Sequence, residues 1–176
     1  MLEPLTVRSP VTGNVVDVAD VPDPVFSGAL VGCGIAVVPD PATGGRVVAP
    51  VDGTVAKLHP HAFVVTADDG PAVLVHLGID TVELRGVGFV THVTEGDHVT
   101  AGQVVTTWDP ETVRGGGRSP VVPVIVLGTA PEALAGLPRV GAPVTTSDVL
   151  FTIQGTVERT PDRPLTGSSP APRPAA

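Results

Sequence analysis

Apolar residues along this chain fall in short runs that glycine, proline or aspartate closes, without the 3.6-residue period of an amphipathic helix. Most successive runs begin roughly 8 to 15 residues apart, a spacing typical of an antiparallel sandwich or barrel. We therefore expect an all-β fold. The predicted strands cover residues 14–18, 30–38, 46–49, 54–58, 62–66, 73–77, 88–92, 103–108, 121–126 and 150–154.

Helix is expected only as short turns. Three segments favour them, at residues 22–26, 110–113 and 131–134, and each opens with proline. Proline is tolerated at the first helical position because the N–H that it lacks has no partner there.

Two pairs of segments repeat each other. Residues 10–15 (PVTGNV) match residues 50–55 (PVDGTV), and residues 96–99 (GDHV) match residues 141–144 (GAPV). Each member of the second pair leads into a further apolar run. The repeats predict an architecture built from two similar β motifs that face each other.

The composition divides the chain into a folded part and a tail. The 176 residues suit one domain with a sizeable core, and 21 glycines and 20 prolines supply the turns between strands. From residue 156 onward Thr, Arg, Pro, Ser and Gly prevail, too poor in large apolar groups to offset the entropy of ordering. We predict one domain at 1–155 and a disordered tail at 156–176.

Charge and cysteine content narrow the functional class. The net charge of −8 and the isoelectric point near 4.9 argue against nucleic acid or an anionic membrane surface as a partner. The lone cysteine, Cys33, excludes an internal disulfide, favours a reducing compartment and is expected to be a small buried thiol. No apolar leader or run of eighteen apolar residues occurs, so we expect a cytoplasmic protein without membrane insertion.

His76 lies in the apolar run at 73–77, close to the point where Gly78 and Asp80 turn the chain. A lone histidine there is usually a core residue bonded to a nearby carbonyl. Fifteen residues earlier His61 opens another predicted strand, and pairing of the two strands would bring the imidazoles together. Two neighbouring imidazoles at a strand end indicate a functional site.

Ordered motifs along most of the chain carry a resemblance to a known family. They are PVTG at 10–13, DVPDPVF at 20–26, HAF at 61–63, VHLGIDTVEL at 75–84 and GVGF at 86–89. Together they resemble the enzyme IIA domain of the glucose family of the bacterial sugar phosphotransferase system, and the likeness runs to about residue 154.

The resemblance implies a duplicated hybrid-motif β-sandwich and a phosphocarrier that needs no cofactor. His76 would accept a phosphoryl group from the carrier HPr and pass it to a cysteine of a IIB domain or IIBC permease. The sugar would be glucose or N-acetylglucosamine, and the same phosphorylation state could be sensed by regulatory target proteins.

The resemblance also implies roles around His76. The reactive nitrogen would be Nε2, while the other ring nitrogen would donate to a carbonyl near Gly78 or Ile79. His61 would donate an N–H to the phosphoryl oxygens. Asp80 and Asp23 would either meet the basic face of a partner protein or simply form turns.

A partner-binding collar is implied around this pair. Each member also suits an ordinary core, and exposure separates the two interpretations. The collar residues are Val25, Phe26, Leu30, Val31, Phe63, Leu74 and Val82.

His59 departs from the family pattern, because related domains carry threonine two residues before the second histidine. Two residues apart on an extended strand, His59 and His61 would share a face, and with His76 they match the ligand count of a catalytic zinc site. A zinc hydrolase is therefore an alternative, although no well-placed acidic ligand precedes these histidines in a His-x-Asp context.

The repeated Gly-x-x-Val turns also allow a biotinyl or lipoyl carrier domain. Such a carrier needs a lysine at an exposed hairpin tip. The only lysine, Lys57, lies in VAKL at 55–58 without a flanking methionine or aspartate, which disfavours this alternative.

Overall fold

The computed structural model describes residues 4–43, 45–68 and 70–154. Within them the chain forms fourteen β-strands, two short α-helices and four 3-10 turns. The strands are β1 Leu5–Arg8, β2 Gly13–Val16, β3 Gly32–Pro39, β4 Arg46–Val48, β5 Gly53–His59, β6 Ala62–Ala67, β7 Ala72–His76, β8 Phe89–Thr91, β9 His98–Val99, β10 Val104–Trp108, β11 Val122–Leu127, β12 Leu134–Ala135, β13 Pro143–Val144 and β14 Val149–Ile153. The helices are α1 Pro24–Ser27 and α2 Pro110–Gly115, and the 3-10 turns are Val18–Asp20, Pro41–Thr43, Thr81–Leu84 and Pro131–Ala133.

The all-β prediction is confirmed. Each of the ten predicted strand segments holds a strand, and each of the three proline-led segments holds a short helical turn. The sequence pattern missed β1, β9, β12 and β13, because strands of two to four residues are too short to show an alternation. The predicted tail at 156–176 lies outside the described residues.

The outer strands of the largest sheet come from the repeated segments, with β13 and β2 at one edge and their counterparts β9 and β5 at the other. The strand order is β13-β2-β3-β11-β7-β6-β5-β9, and β11 and β7 form the central pair. Two three-stranded sheets, β1-β14-β12 and β4-β10-β8, complete the fold, and the strand pairings in the described part of the chain are antiparallel.

Hydrogen bonds in the two halves repeat the sequence echo. The Gly141 amide donates to the Val15 carbonyl at 2.7 Å, and the Gly96 amide donates to the Val55 carbonyl at 2.8 Å. Val15 and Val55 are equivalent residues of the first repeat, as Gly141 and Gly96 are of the second. The predicted duplication is therefore present in the backbone pairing.

Two hydrophobic clusters lie on opposite faces of the strands that carry the histidines. Successive side chains of a strand point to opposite faces, so Val73 and Val75 of β7 enter the main core, while Leu74 packs against a second, smaller cluster. His76 shares the face of Leu74. This alternation keeps the imidazole out of the main core and beside the second cluster.

Cys33 is 5% exposed, which confirms the prediction of a buried thiol. Burial raises the pKa of this thiol, and the negative charge of Glu132 adds to the effect. Within the described residues, no helix is both long and apolar enough to cross a membrane.

Candidate functional site

His61 and His76 meet where three strands end. His76 is the last residue of β7 and pairs with Ala62, the first residue of β6. His61 lies in the turn between β5 and β6, one residue before β6 begins. The Leu77 amide donates to the His61 carbonyl at 2.7 Å, and the two ring centroids lie 5.3 Å apart at 70°. The pairing thus brings the imidazoles together, as expected from the sequence.

One hydrogen bond selects the tautomer of His76. Its Nδ1 atom lies 2.6 Å from the Gly78 carbonyl oxygen. Because a carbonyl oxygen only accepts hydrogen bonds, Nδ1 carries the proton and donates. In the neutral ring the lone pair is then on Nε2, which is the nucleophilic atom.

Only glycine fits at position 78. Its φ of +81° lies in the left-handed region, and an added Cβ would lie 2.7 Å from Thr81 Cγ2 and 3.0 Å from the Ser119 oxygen. The backbone turn that presents the carbonyl to His76 therefore depends on the absence of a side chain.

The surroundings of both histidines favour neutral rings. Burial lowers the pKa of His76, and the Gly78 carbonyl, Asp23 and Asp80 partly oppose that decrease. The pKa of His61 is lowered to about 4, first by burial and then by repulsion from His76 and His59. Both rings are accordingly uncharged near neutral pH.

Helix α1 covers one side of His76. Phe26 packs edge-on against the His76 ring, with centroids 5.2 Å apart at 60°. The Asp23 carboxylate begins this helix by accepting from the Val25 amide at 2.9 Å. Asp23 therefore has a structural role, and its charge also acts on His76.

Asp80 immediately precedes the 3-10 turn Thr81–Leu84. Its side chain is exposed and makes no capping hydrogen bond, while its backbone is left-handed with φ +62°. The position is thus a turn whose exposed carboxylate also acts on His76 through its charge, and both expectations for Asp80 are compatible with it.

Four collar residues are exposed apolar side chains. Val25 is 39% exposed, Leu30 71%, Val31 38% and Val82 60%. Large apolar side chains at such exposure are available to a partner protein. These four residues, named the exposed collar below, keep the partner-binding interpretation.

Burial assigns Phe63 and Phe26 to the core, while Leu74 is half-buried. Phe63 is 1% exposed and belongs to the main core, so no partner can contact it. Phe26 is 5% exposed and packs in the second cluster, where half-buried Leu74 joins it. For Phe63 and Leu74, alternation along β6 and β7 explains why sequence proximity to the histidines did not separate inward from outward side chains, and Phe26 is buried because it lies on the inward face of α1.

His59 is the last residue of β5 and is exposed. Its ring stacks on that of His61, with centroids 5.7 Å apart at 26°. In the described part of the chain no group of three or more His, Cys, Asp or Glu side chains is arranged to hold a metal ion. The alternative zinc centre therefore lacks a ligand set among these residues.

Sequence reasoning missed the residues behind the Gly78 turn. Thr81 is fully buried and donates its hydroxyl to the Leu77 carbonyl at 2.7 Å. Ser119 and Val121 contribute backbone oxygens to the same turn. A threonine inside the turn sequence could have suggested a local hydrogen bond, but nothing in the sequence indicates the contact with Ser119 and Val121, some forty residues away.

A family model matches most of the chain. Its description is phosphoenolpyruvate-dependent sugar phosphotransferase system, EIIA 1, and it matches residues 5–131. The matched residues include both His61 and His76.

Individual proteins and a solved structure agree with that match. The phosphotransferase-system glucose-specific EIIA component of Bacillus cereus is 37% identical over 148 residues, 82% of this chain and 88% of that protein. The glucosamine-specific EIICBA component of Bacillus subtilis is 40% identical over 127 residues, 71% of this chain and 20% of that protein. The structure of glucose permease IIA from Mycoplasma capricolum superposes with a TM-score of 0.78 at 31% identity, over 86% of this chain and 96% of that chain.

Proposed function

Because the chain belongs to the EIIA 1 family of the phosphoenolpyruvate-dependent sugar phosphotransferase system, we propose that it carries its phosphoryl group on Nε2 of His76. Family membership itself gives the chain a phosphocarrier role in sugar uptake, and with it a phosphotransferase role. The observation that supports this role of His76 is the 2.6 Å hydrogen bond from its Nδ1 to the Gly78 carbonyl, which leaves Nε2 without a proton.

In the proposed first step HPr is the donor, as a phosphohistidine whose second ring nitrogen is protonated. The Nε2 lone pair attacks phosphorus, the phosphorus–nitrogen bond to the donor ring breaks, and the bonding electron pair returns to that ring. HPr leaves with a neutral imidazole. His76 keeps its Nδ1 proton and becomes a phosphorylated imidazolium.

The charges near His76 suit this product. An imidazolium is stabilised by the Gly78 carbonyl and by the carboxylates of Asp23 and Asp80, the same groups that raise the pKa of His76 against the effect of burial. Neutral His61, with its ring centroid 5.3 Å away, supplies an N–H to the phosphoryl oxygens. The site thus offers negative or hydrogen-bond-accepting groups to the cationic ring of His76 and a hydrogen-bond donor, His61, to the phosphoryl oxygens.

In the proposed second step a IIB cysteine thiolate attacks phosphorus. The bond to Nε2 breaks, its electron pair returns to the ring, and His76 is again neutral with Nδ1 protonated. Support for a IIB partner comes from the name of the Bacillus subtilis relative, an EIICBA component whose chain contains a region similar to this one.

The exposed collar is proposed to receive HPr and the IIB domain in turn. Its four apolar side chains are exposed, and two of them belong to elements that adjoin the site: Val25 to helix α1, which packs against His76, and Val82 to the 3-10 turn after Gly78. Because the phosphoryl group must leave for another protein, this surface has to remain open. We place the reaction in the cytoplasm, for uptake of glucose or N-acetylglucosamine.

A reconstituted relay tests this function. The chain is incubated with labelled phosphoenolpyruvate, enzyme I and HPr, and purified IIB domains of glucose and N-acetylglucosamine permeases are then added separately. Label should move from the chain to at least one of the two IIB domains. Label that reaches the chain but neither IIB domain would contradict the proposed acceptor.

A further inference from the structure

The Gly78–Ile79 peptide is held at both of its polar ends. Its carbonyl oxygen accepts from His76 Nδ1 at 2.6 Å, and its N–H, that of Ile79, donates to the Ser119 carbonyl at 2.9 Å. A peptide unit is planar, so a hydrogen bond at the N–H also limits the direction of the carbonyl. The orientation of this one plane decides whether Nδ1 of His76 meets an acceptor.

The preceding peptide, Leu77–Gly78, is held in the same manner. Its N–H, that of Gly78, donates to the Val121 carbonyl at 3.0 Å. Its carbonyl accepts from the hydroxyl of Thr81 at 2.7 Å. The four bonds fix both planes on either side of a glycine that would otherwise rotate freely.

Thr81 is the one participant in the second pair of bonds that acts through its side chain. It is 0% exposed, and its methyl group lies against the Cα of Gly78, since a Cβ built there would be 2.7 Å from Thr81 Cγ2. Val121 and Ser119 contribute main-chain oxygens, which a substitution does not remove. Apart from His76 itself, among the groups that support the two peptides on either side of Gly78 by a direct hydrogen bond, Thr81 is therefore the one that does so through a side-chain atom.

An ion pair joins the two segments that surround this turn. Arg118 Nη2 donates to Glu83 Oε1 at 3.0 Å, and so connects the segment before Ser119 to the 3-10 turn that begins at Thr81. The ion pair therefore links the two segments that hold the Gly78 carbonyl in place. Thr81 lies between that link and the peptide that His76 contacts.

We propose that Thr81 is a positioning residue, whose hydroxyl aims the Gly78 carbonyl at Nδ1 of His76 and so keeps Nε2 free for phosphoryl transfer. The expected effect of Thr81 on the rate of phosphoryl transfer rests on the proposed function. The expected effect on the His76 tautomer does not, because it concerns the unphosphorylated protein. In metal sites, residues that orient a histidine ligand through its second ring nitrogen have a similar role, and their loss lowers metal affinity or activity about 10- to 100-fold.

The test compares Thr81→Val with the wild-type chain, using ¹⁵N-detected NMR of the His76 ring and the rate of label uptake from phospho-HPr. Wild-type His76 should show one tautomer, protonated at Nδ1. Thr81→Val should show a mixture of tautomers and about a tenfold slower uptake, by analogy with other histidine supports. A variant with wild-type tautomer and rate would overturn the proposal, as would a slower rate with the tautomer unchanged.

Matched variants separate positioning from stability. Thr106→Val removes another fully buried threonine hydroxyl, one with no hydrogen-bond partner among the described residues, and should leave tautomer and rate unchanged. Thr81→Ser and Thr81→Ala both lack the methyl group and differ in the hydroxyl alone, so they decide the matter even if Thr81→Val does not fold. Serine should retain the single tautomer and alanine should lose it; identical tautomer populations in the two would overturn the proposal. If a His76→Ala protein still took up label, the proposed function would fail while the tautomer result stood.

Discussion

The Nδ1 atom of His76 donates to the Gly78 carbonyl, 2.6 Å away and two residues further along the same chain. The bond is local in sequence, but the turn that makes it is held by Ser119 and Val121 from a distant segment. The nucleophilic nitrogen of the site is therefore selected by tertiary structure as well as by the local motif.

Gly78→Ala should destabilise the fold and disturb the His76 tautomer together. The left-handed φ of +81° costs a non-glycine residue about 1 to 2 kcal/mol, and the contact with Thr81 Cγ2 adds to that. Urea unfolding should show a loss of about 2 kcal/mol or more. Gly96→Ala, at a similar φ of +94° but with open space around it, is the control and should lose less. Equal losses in the two variants would show that the packing around Gly78 is unimportant.

His61→Gln should slow phosphoryl transfer severely while the fold remains. Losing one oriented donor to a developing or transferred charge costs on the order of a hundredfold or more. Uptake of label from phospho-HPr measures the rate, and circular dichroism checks the fold. A loss of less than about threefold would remove His61 from the mechanism.

His59→Thr serves as the comparison for that variant. His59 is exposed and contacts His61 by stacking at 5.7 Å, so its replacement should have a mild effect on rate, within about threefold. A metal chelator should change neither the wild-type rate of label uptake nor that of His59→Thr. If His59→Thr abolished activity, or if chelation inactivated the protein, the three histidines would have to be reconsidered as a metal site.

The low pKa of His61 predicts a pH dependence of stability. The unfolded chain binds a proton near pH 6.5, whereas the folded chain binds it near pH 4. Between these values the unfolded state holds more protons, so the contribution of His61 is present above pH 6.5 and is lost as pH falls toward 4. NMR titration should place the His61 midpoint near pH 4, and His61→Gln should lose less stability over this window. A midpoint at or above 6.5 would contradict the burial argument.

Asp80→Asn should slow exchange with partner proteins more than it alters the fold. Asparagine tolerates the left-handed backbone of this position, so the substitution removes the charge and little else. The expected loss is roughly tenfold in the association rate at low salt, shrinking as salt rises. Asp148→Asn, at an exposed carboxylate in the turn before β14, should have no such effect. Equal rates for the wild type and Asp80→Asn would leave Asp80 as a turn former alone.

Much of this fold could be predicted because it is built from local signals. Apolar runs located ten strands, and the proline positions located the helical turns. The repeated PV-x-G segments indicated a duplication that the bonds of Val15 and Val55 display. The missed strands β9 and β13 have two residues each and exist only through pairing with β5 and β2.

The pair of histidines at the candidate site was predictable from the sequence, and the residues around the pair were less so. Adjacent strands brought His61 beside His76, because pairing of neighbouring strands follows from the short connection between them. Burial of Phe63 and Phe26 depends on which face of a strand or helix meets a core, and a one-residue shift reverses it. The support of Gly78 by Ser119 joins residues far apart in sequence, which local patterns do not report.

Label transfer to a chain that lacks His76 tests the identity of the phosphoryl acceptor most directly. Wild type, His76→Ala and the control His98→Ala are each incubated with labelled phosphoenolpyruvate, enzyme I and HPr. His98 is a suitable control because its side chain is exposed and pairs with the exposed carboxylate of Asp68. Wild type and His98→Ala should carry an acid-labile, base-stable label, and His76→Ala should carry none. Label on His76→Ala at the wild-type level would show that His76 is not the phosphoryl acceptor.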